Sequence, residues 1–182
     1  MRIIREEWQG NKRQWTIYYY RSGKWIEEMS TVQLAHFYAM PFIALQSIDV
    51  AIIELESYYI EMLYAMIPSI HIIIDPYSLY QKTEGFNNGL NEWQEEVATT
   101  VDERIKQEKE EVRTFLIQFY KSTSLHEAYS IYEQWQCNRL LCNDIGNVVI
   151  DWIQDYEEEV FNYFCFQNMI PGLKCYREIK DK

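Results

Sequence analysis

The sequence predicts an α+β fold that is mainly α. It consists of a short N-terminal antiparallel β-meander followed by a bundle of about five helices, with one extra short strand near residues 69–75. Residues 1–29 are rich in Ile, Trp and Tyr between turn-forming segments, which is typical of short strands. After residue 30, apolar residues recur mostly at three- and four-residue steps, which is typical of helices. With only 6 Gly and 4 Pro, the chain lacks the turn residues of an all-β fold.

The predicted meander has three strands. Arg2–Trp8 and Arg13–Tyr20 are separated by a Gln-Gly-Asn-Lys turn. A second turn, Arg-Ser-Gly-Lys, leads into Trp25–Glu28. Strands joined by such short turns pair as antiparallel neighbours.

Two helices are predicted next. Ser30 begins a capping-box pattern, so a helix is expected from Ser30 to Met40, where Pro41 ends or kinks it. A second helix, Phe42–Met66, is apolar nearly all round and is predicted to be the central core helix. Leu34–Ile53 contains a single charge, but it has no flanking basic residues, so a core helix is favoured over a membrane span.

The rest of the chain alternates loops and helices. The Ile-rich segment at 69–75 predicts a short buried strand that adds to the N-terminal sheet, followed by a loop over 76–89. A long helix is expected from Leu90 to Tyr120. A capping box at Ser124 opens a helix to about Leu141, and one last helix runs from about residue 144 to Gln167.

One turn interrupts the apolar stripe of the long helix. The stripe steps from Ile105 to Val112, and the turn between them carries Glu108 and Lys109. This turn is expected to be wet or to project from the body. Because no linker or repeat divides the chain, a single domain over 1–182 is predicted. It comprises a basic β-rich part (1–29), an acidic helical body (30–172) and a polar tail (173–182).

The net charge is −11 and is unevenly distributed. The helical body carries −15, whereas the two ends are each +2. This balance disfavours nucleic acid and anionic membranes as direct partners and is compatible with a basic protein. The opposing hypothesis is single-stranded nucleic-acid binding through the N-terminal hairpin, whose aromatic residues are mixed with basic ones. The basic residues are Arg2, Arg5, Lys12, Arg13, Arg21 and Lys24.

The N-terminus and the cysteines indicate a cytoplasmic location. The segment MRIIREEWQG is charged at once and has no apolar core, so no signal peptide is expected. The four cysteines contain no C-x-x-C pair and are expected to be free, buried thiols. A four-cysteine zinc site is the less favoured alternative.

The last helix carries the strongest charge signal. Its acids recur at roughly helical spacing, on the side opposite a predicted core stripe that includes Trp152 and Tyr156, with almost no basic residue nearby. Such a face is predicted to bind a basic protein, and the alternative is a solvated outer surface. The predicted partner-binding residues are Asp144, Asp151, Asp155, Glu157, Glu158 and Glu159.

The central helix suggests a second type of site. Asp49 and Glu56 are seven residues apart, as are Glu54 and Glu61, so each pair would align on one helix face. These possible pocket carboxylates either line a site or reach the helix edge and accept hydrogen bonds from tyrosines. Because the three histidines lie on different predicted elements and no nucleotide-binding or catalytic motif is present, no catalytic residue, metal or cofactor is predicted.

Three functional hypotheses follow. The favoured one is a non-enzymatic acidic module that binds and occludes a basic partner such as a nuclease or nucleic-acid-binding effector. Small immunity proteins and phage-encoded inhibitors, including anti-CRISPR proteins, work by this logic, and the analogy rests on size and charge alone. The alternative is a helical small-ligand-binding protein or enzyme with a carboxylate- and tyrosine-lined pocket between helices. A third is a self-associating subunit that uses the Leu90–Tyr120 helix. The oligomeric state stays open.

Overall fold

The chain divides into two compact units, Met1–Asp75 and Pro76–Lys182. The computed structural model describes residues 1–9, 12–31, 48–55, 58–85, 95–138 and 144–168. Within these ranges, the first unit contains a five-stranded sheet and one helix, and the second contains helices. The α+β, mainly α fold class is therefore confirmed. The prediction of a single domain stays a prediction.

The predicted N-terminal meander is confirmed. Strands β1 (Arg2–Gln9), β2 (Lys12–Arg21) and β3 (Lys24–Thr31) pair antiparallel in sequence order. The β2–β3 turn has positive φ at both central residues, 52° at Ser22 and 79° at Gly23. A two-residue turn of this kind matches the right-handed twist of the strands that it joins.

The first unit continues with two parallel strands and a helix. Strands β4 (Val50–Ile53) and β5 (His71–Ile74) flank helix α1 (Tyr59–Met66). The strand order is β3-β2-β1-β4-β5, in which β1, β4 and β5 are mutually parallel. The predicted strand near 69–75 is thus confirmed, and it joins the N-terminal sheet as expected.

The predicted central helix Phe42–Met66 is wrong over Val50–Ile53. All four residues of this segment are buried, so both faces of β4 are covered. Parallel strands covered on both faces have continuous apolar sequences, which a short window does not distinguish from a buried helix. Among the described residues of this prediction, only Tyr59–Met66 is helical; residues 42–47 and 56–57 lie outside the described ranges.

Ser30 does not cap a helix. It lies in β3 opposite Thr16, and its hydroxyl oxygen accepts a hydrogen bond from the Gln14 side chain. The Thr16 and Ser30 hydroxyl oxygens are 3.3 Å apart. The hydroxyl that suggested a capping box therefore serves as a cross-strand partner. The remainder of the predicted helix to Met40, with Pro41, lies outside the described ranges.

The second unit contains five helices among its described residues, and α3 packs against α2, α4 and α5. The predicted loop over 76–89 is wrong for its first nine residues, which form α2. Its Pro76 occupies the first helical position, where the missing N–H costs nothing. The five helices are α2 (Pro76–Glu84), α3 (Glu95–Tyr120), α4 (Leu125–Asn138), α5 (Asp144–Asp155) and α6 (Glu157–Phe166).

Aromatic side chains of α3 and α6 form part of the core of the second unit. Phe119 is fully buried and makes edge-on contacts with Phe161 and Phe164, at centroid distances of 5.4 and 4.9 Å. From α4, the Tyr129 ring stacks on Phe161 at 3.9 Å. Much of the tyrosine and phenylalanine content of the chain therefore serves packing, with edge-to-face and stacked geometries that favour aromatic pairs.

The capping box that opens α4 is present, with one change of partner. The Glu127 N–H donates to the Ser124 hydroxyl oxygen at 3.2 Å, as the pattern predicts. The Glu127 carboxylate instead accepts from the backbone N–H of Thr123 at 2.7 Å and from the Thr123 hydroxyl at 3.0 Å. These hydrogen bonds, the backbone one first, lower the pKa of Glu127.

This cap makes stability depend on pH. Folding lowers the pKa of Glu127, so its ionised carboxylate stabilises the folded state at pH values above the ordinary pKa of 4.5. This stabilisation is lost as the pH falls through the lower pKa of the folded state. Urea unfolding should show Glu127→Gln to be less stable than the wild type at neutral pH, with a difference that narrows in acid. Glu133→Gln, on the same helix, controls for loss of charge. A difference that stays constant with pH would contradict the cap.

The core position of α3 is tested by two matched truncations. Leu116 is 0% exposed, whereas Leu125 at the start of α4 is 37% exposed. Leu116→Ala should reduce the free energy of unfolding by about 2–5 kcal/mol because a cavity is left behind. Leu125→Ala should change it by about 1 kcal/mol or less. Equal losses in denaturant unfolding would show that this stripe is not the core of the unit.

Candidate functional site

The six predicted partner-binding acids lie on α5 and α6. The single predicted helix is interrupted at Tyr156, which has φ −121° and ψ 37°. Helical hydrogen bonds continue across it, because the Tyr156 N–H donates to the Trp152 carbonyl at 3.1 Å and the Val160 N–H to the Tyr156 carbonyl at 2.9 Å. The interruption is therefore a local distortion between two helices.

Three of these acids are exposed and have no hydrogen bond or ion pair among the described residues: Asp151, Asp155 and Glu158. At a helical rotation of about 100° per residue, they fall within a sector of about 60°. The hydrogen bonds that cross Tyr156 keep this relation approximately intact. We call these three residues the acidic face.

The other three acids have local partners or are less exposed. Asp144 forms an ion pair with Arg104 at 3.2 Å. Glu157 accepts a hydrogen bond from the Tyr129 hydroxyl at 3.1 Å, and Glu159 is half-buried. Burial and this hydrogen bond raise the pKa of Tyr129. Asp144 and Glu157 therefore have partners within the second unit, whereas the acidic face has none among the described residues.

The acids at the start of α6 also have a structural role. Glu157, Glu158 and Glu159 occupy its first turn, and no side chain caps that end. Negative charge near a helix N-terminus interacts favourably with the free N–H groups and the helix dipole. The sequence EEE therefore helps α6 to restart after the distortion, so only part of this charge requires a partner to explain it.

Two aromatic residues border the acidic face. Trp152 and Tyr156 were expected in the core opposite the acids, yet both are half-buried. The buried side of α5 is instead formed by aliphatic residues such as Val149 and Ile153, each 0% exposed. The predicted placement opposite the acids was wrong. Going around the helix, Trp152 and Tyr156 come directly after Asp151 and Asp155, so they lie between the acidic face and the buried side.

A buried carboxylate fixes the start of α5. Glu108 is 6% exposed, and its carboxylate accepts from Arg104 Nε at 2.8 Å and from the Ile145 N–H at 3.3 Å. It therefore satisfies one of the free donors at the N-terminus of α5 from the neighbouring helix α3. The expectation that this turn of α3 is wet or projecting is wrong at Glu108.

The possible pocket carboxylates do not share a helix face. Asp49 precedes β4 and is exposed, Glu54 follows β4, and Glu61 is exposed on α1; Glu56 lies outside the described ranges. The helical alignment that suggested a pocket between helices is wrong, because strand β4 separates Asp49 from Glu54. Asp49 accepts a hydrogen bond from the backbone N–H of Arg2 at 2.9 Å.

Asp49 lines an open depression of about 780 Å³ in the first unit. The depression lies near the amino ends of β1 and β4 and combines carboxylates, arginines and tyrosines. Arg2 and Glu28 form an ion pair across it at 2.8 Å. The lining residues are Met1, Arg2, Tyr19, Tyr20, Arg21, Glu27, Glu28 and Asp49.

An ion pair that the sequence reasoning missed lies across β1 and β2. The Glu6 side chain is 0% exposed, and its Oε1 lies 2.7 Å from Arg13 Nε. Its Oε2 accepts from the Glu54 N–H at 3.1 Å. The guanidinium of Arg13 also lies over the rings of Tyr58 and Tyr59, at 5.6 and 5.3 Å. The hairpin register, which places Glu6 opposite Trp15 and diagonal to Arg13, was the available signal.

Three of the six basic residues of the hairpin form ion pairs within the described part of the chain. Arg2 pairs with Glu28, Arg13 with Glu6, and Arg5 with Asp75 at 3.2 Å. These pairs reduce the positive potential that single-stranded nucleic acid would require. Nucleic-acid binding through the hairpin stays a prediction.

Metal, thiol and membrane features are limited in the described part of the chain. No group of three or more His, Cys, Asp or Glu that could hold a metal ion occurs there. Cys137 and Cys165 are free and exposed, so the expectation of buried thiols is wrong for these two. Among the described helices, none has the length and apolar character needed to cross a membrane.

Comparison of the chain with protein-family models, with curated proteins and with solved structures found no match in any of the three.

The role of Glu108 can be tested by truncation. Glu108→Ala leaves the Ile145 N–H without its acceptor, so the second unit should lose about 1–3 kcal/mol of stability. Glu110→Ala on the same helix is the matched control, since the Glu110 side chain is 68% exposed. Denaturant unfolding measures both. Equal effects of the two substitutions would mean that Glu108 does not hold α5.

Proposed function

We propose that the chain is a non-enzymatic acidic module whose acidic face binds and occludes a basic protein in the cytoplasm. The partner class is a nuclease or another nucleic-acid-binding effector, because such proteins carry the Lys- and Arg-rich surfaces that complement clustered carboxylates. Immunity proteins and phage-encoded inhibitors, anti-CRISPR proteins among them, provide the functional analogy, which rests on size and charge.

One observation carries the proposal. Asp151, Asp155 and Glu158 are exposed without a neutralising partner among the described residues, and the segment 144–168 contains no Lys, Arg or His. Like charges clustered in this way raise the local negative potential. A basic partner would relieve that repulsion and would be steered toward this face during encounter.

Contacts beside the acidic face support binding of a protein. Trp152 and Tyr156 are half-buried at its border. Aromatic side chains next to charged residues are enriched at the energetic centres of protein interfaces, because they bury a large apolar area and offer a polar tip. The hydrogen bond from the Ile145 N–H to Glu108 holds the N-terminus of α5, the helix that carries Asp151 and Asp155, against α3.

A second candidate function has a weaker basis. The depression around Asp49 combines three carboxylates with Tyr19 and Tyr20, which matches the carboxylate- and tyrosine-lined pocket expected for a small-ligand protein. It lies on the sheet rather than between helices. A small ligand that raises the thermal midpoint of the wild type, and not that of Tyr19→Ala, would support this alternative.

Charge reversal tests the protein-binding proposal. The variant Asp151→Lys, Asp155→Lys, Glu158→Lys should lose at least about tenfold in captured basic protein from a host lysate, because attraction becomes repulsion. The control variant Glu61→Lys, Glu103→Lys, Glu133→Lys makes the same change in net charge at exposed acids elsewhere. Capture is quantified by mass spectrometry, with both variants compared with the wild type.

The control variant and the salt wash distinguish binding at the acidic face from attraction to the net charge of the chain. Proteins that depend on the acidic face should stay bound to the control variant and should be released at 1 M salt, where the Debye length is about 3 Å. Equal loss in both variants would attribute capture to net charge. Full retention by the triple reversal of α5 and α6 would refute the proposed face.

A further inference from the structure

The β2–β3 hairpin places three aromatic side chains and one carboxylate on the same face of the sheet. Its register pairs Tyr18 with Glu27 and Tyr20 with Trp25. Directly opposite residues of an antiparallel pair share a face, as do alternate residues of one strand. The bulge of β3 is at Glu28, after both pairs, so it does not disturb this arrangement.

Two of these rings can contact a cation. The Tyr20 and Trp25 rings are tilted by 56° to each other, with their centroids 5.1 Å apart. Tyr20 is 40% exposed, and Trp25 is half-buried. The face of an aromatic ring is electron-rich and attracts a positive charge that lies within about 6 Å of the ring centroid. The pair therefore offers exposed ring surface suited to a cationic group.

Glu27 adds a negative charge beside the rings. It is exposed and has no hydrogen bond or ion pair among the described residues. Glu27 and Tyr20 both line the depression of about 780 Å³ around Asp49. The lining of that depression contains three carboxylates and two guanidiniums, and one guanidinium, that of Arg2, is paired with Glu28. The remaining charge therefore favours a positively charged ligand.

The chemistry of the surface selects among cations. A primary ammonium group is strongly hydrated, and binding must replace its water with hydrogen-bond acceptors. Ring faces attract charge but are poor acceptors of this kind, and Glu27 is the one carboxylate among the four residues that share this face. A methylated ammonium has few or no N–H donors to satisfy and presents an apolar shell to the rings, which is the mode by which aromatic cages bind quaternary ammonium groups.

We propose that the aromatic surface formed by Tyr18, Tyr20, Trp25 and Glu27 binds a quaternary ammonium group, with its charge over the rings and beside the Glu27 carboxylate. The proposal rests on the second candidate function, for which it names the ligand class. It shares no residue with the acidic face, so it is independent of partner binding there.

Choline is the probe that tests the proposal. The indole N–H signal of Trp25, identified by its loss in Trp25→Phe, is followed by NMR at constant ionic strength. It should shift saturably at millimolar choline. Ethanolamine, the primary ammonium analogue, should bind at least about threefold more weakly. The uncharged isostere of choline, in which carbon replaces the quaternary nitrogen, should cause no saturable shift because it lacks the charge.

Substitutions locate the bound cation. Tyr20→Ala and Glu27→Gln should each weaken choline binding by at least about threefold, because each removes part of the electrostatic attraction. Arg21→Gln should strengthen it, since Arg21 also lines the depression and its charge repels a cation. Glu61→Gln, at an exposed acid of α1, is the matched control for Glu27→Gln and should leave binding unchanged. Unchanged signals of the other five indoles show that a variant keeps its fold.

Three results would overturn the proposal. The first is the absence of a saturable Trp25 shift with choline. The second is equal binding of choline and either ethanolamine or the uncharged isostere. The third is equal affinity of the wild type, Tyr20→Ala and Glu27→Gln. Failure with choline remains distinguishable from failure of the second candidate function, because the thermal-shift comparison with Tyr19→Ala would still report a different ligand of the depression.

Discussion

The position of the acidic face depends on one buried carboxylate, that of Glu108. A buried charge is costly unless it is paired and hydrogen-bonded, and here both conditions are met by Arg104 and the Ile145 N–H. The second partner belongs to the first turn of α5. The contact therefore links the central helix of the second unit to the helix that presents Asp151 and Asp155, while Asp144 at its start is neutralised by Arg104.

The two units differ in how far their charged side chains form ion pairs. In the first, Arg2, Arg5 and Arg13 are paired with carboxylates, one of which, on Glu6, is fully buried. In the second, the segment 144–168 has six acids and no base. Ion pairs thus involve three of the six basic residues of the N-terminal hairpin, whereas Asp151, Asp155 and Glu158 on α5 and α6 have no such partner among the described residues.

The sheet imposes a second constraint. β4 and β5 are parallel to β1, so the chain must cross over between them, and α1 makes the crossover from β4 to β5. Their Ile-rich sequences satisfy burial on both faces. The antiparallel half of the sheet, by contrast, ends at β3, where side chains are largely exposed. β4 and β5 therefore belong to the buried core, whereas β3 at the other end of the sheet has largely exposed side chains.

Short sequence patterns correctly predicted the elements that depend on interactions between residues close in sequence. The two hairpin turns defined the meander, and Ser124 with Glu127 defined the start of α4. The apolar run Val50–Ile53 was misread because its periodicity fits a buried strand and a buried helix equally well.

Long-range contacts explain most of the remaining misses. The buried state of Glu108 depends on a residue 37 positions away, which no local window reveals. The pairing of Glu6 with Arg13 needed the strand register in addition to composition. For the acidic face, the sequence supplied the charges and their spacing, but the division between engaged and unneutralised acids required tertiary contacts.

We propose that a basic protein binds the surface centred on Asp151, Asp155 and Glu158. The most direct measurement is hydrogen–deuterium exchange of the chain alone and in complex with its captured partner, followed by mass spectrometry. Binding at this surface should slow exchange in peptides from 144–168 and leave exchange in peptides from 59–85 unchanged. Slower exchange confined to other peptides, with 144–168 unaffected, would contradict it.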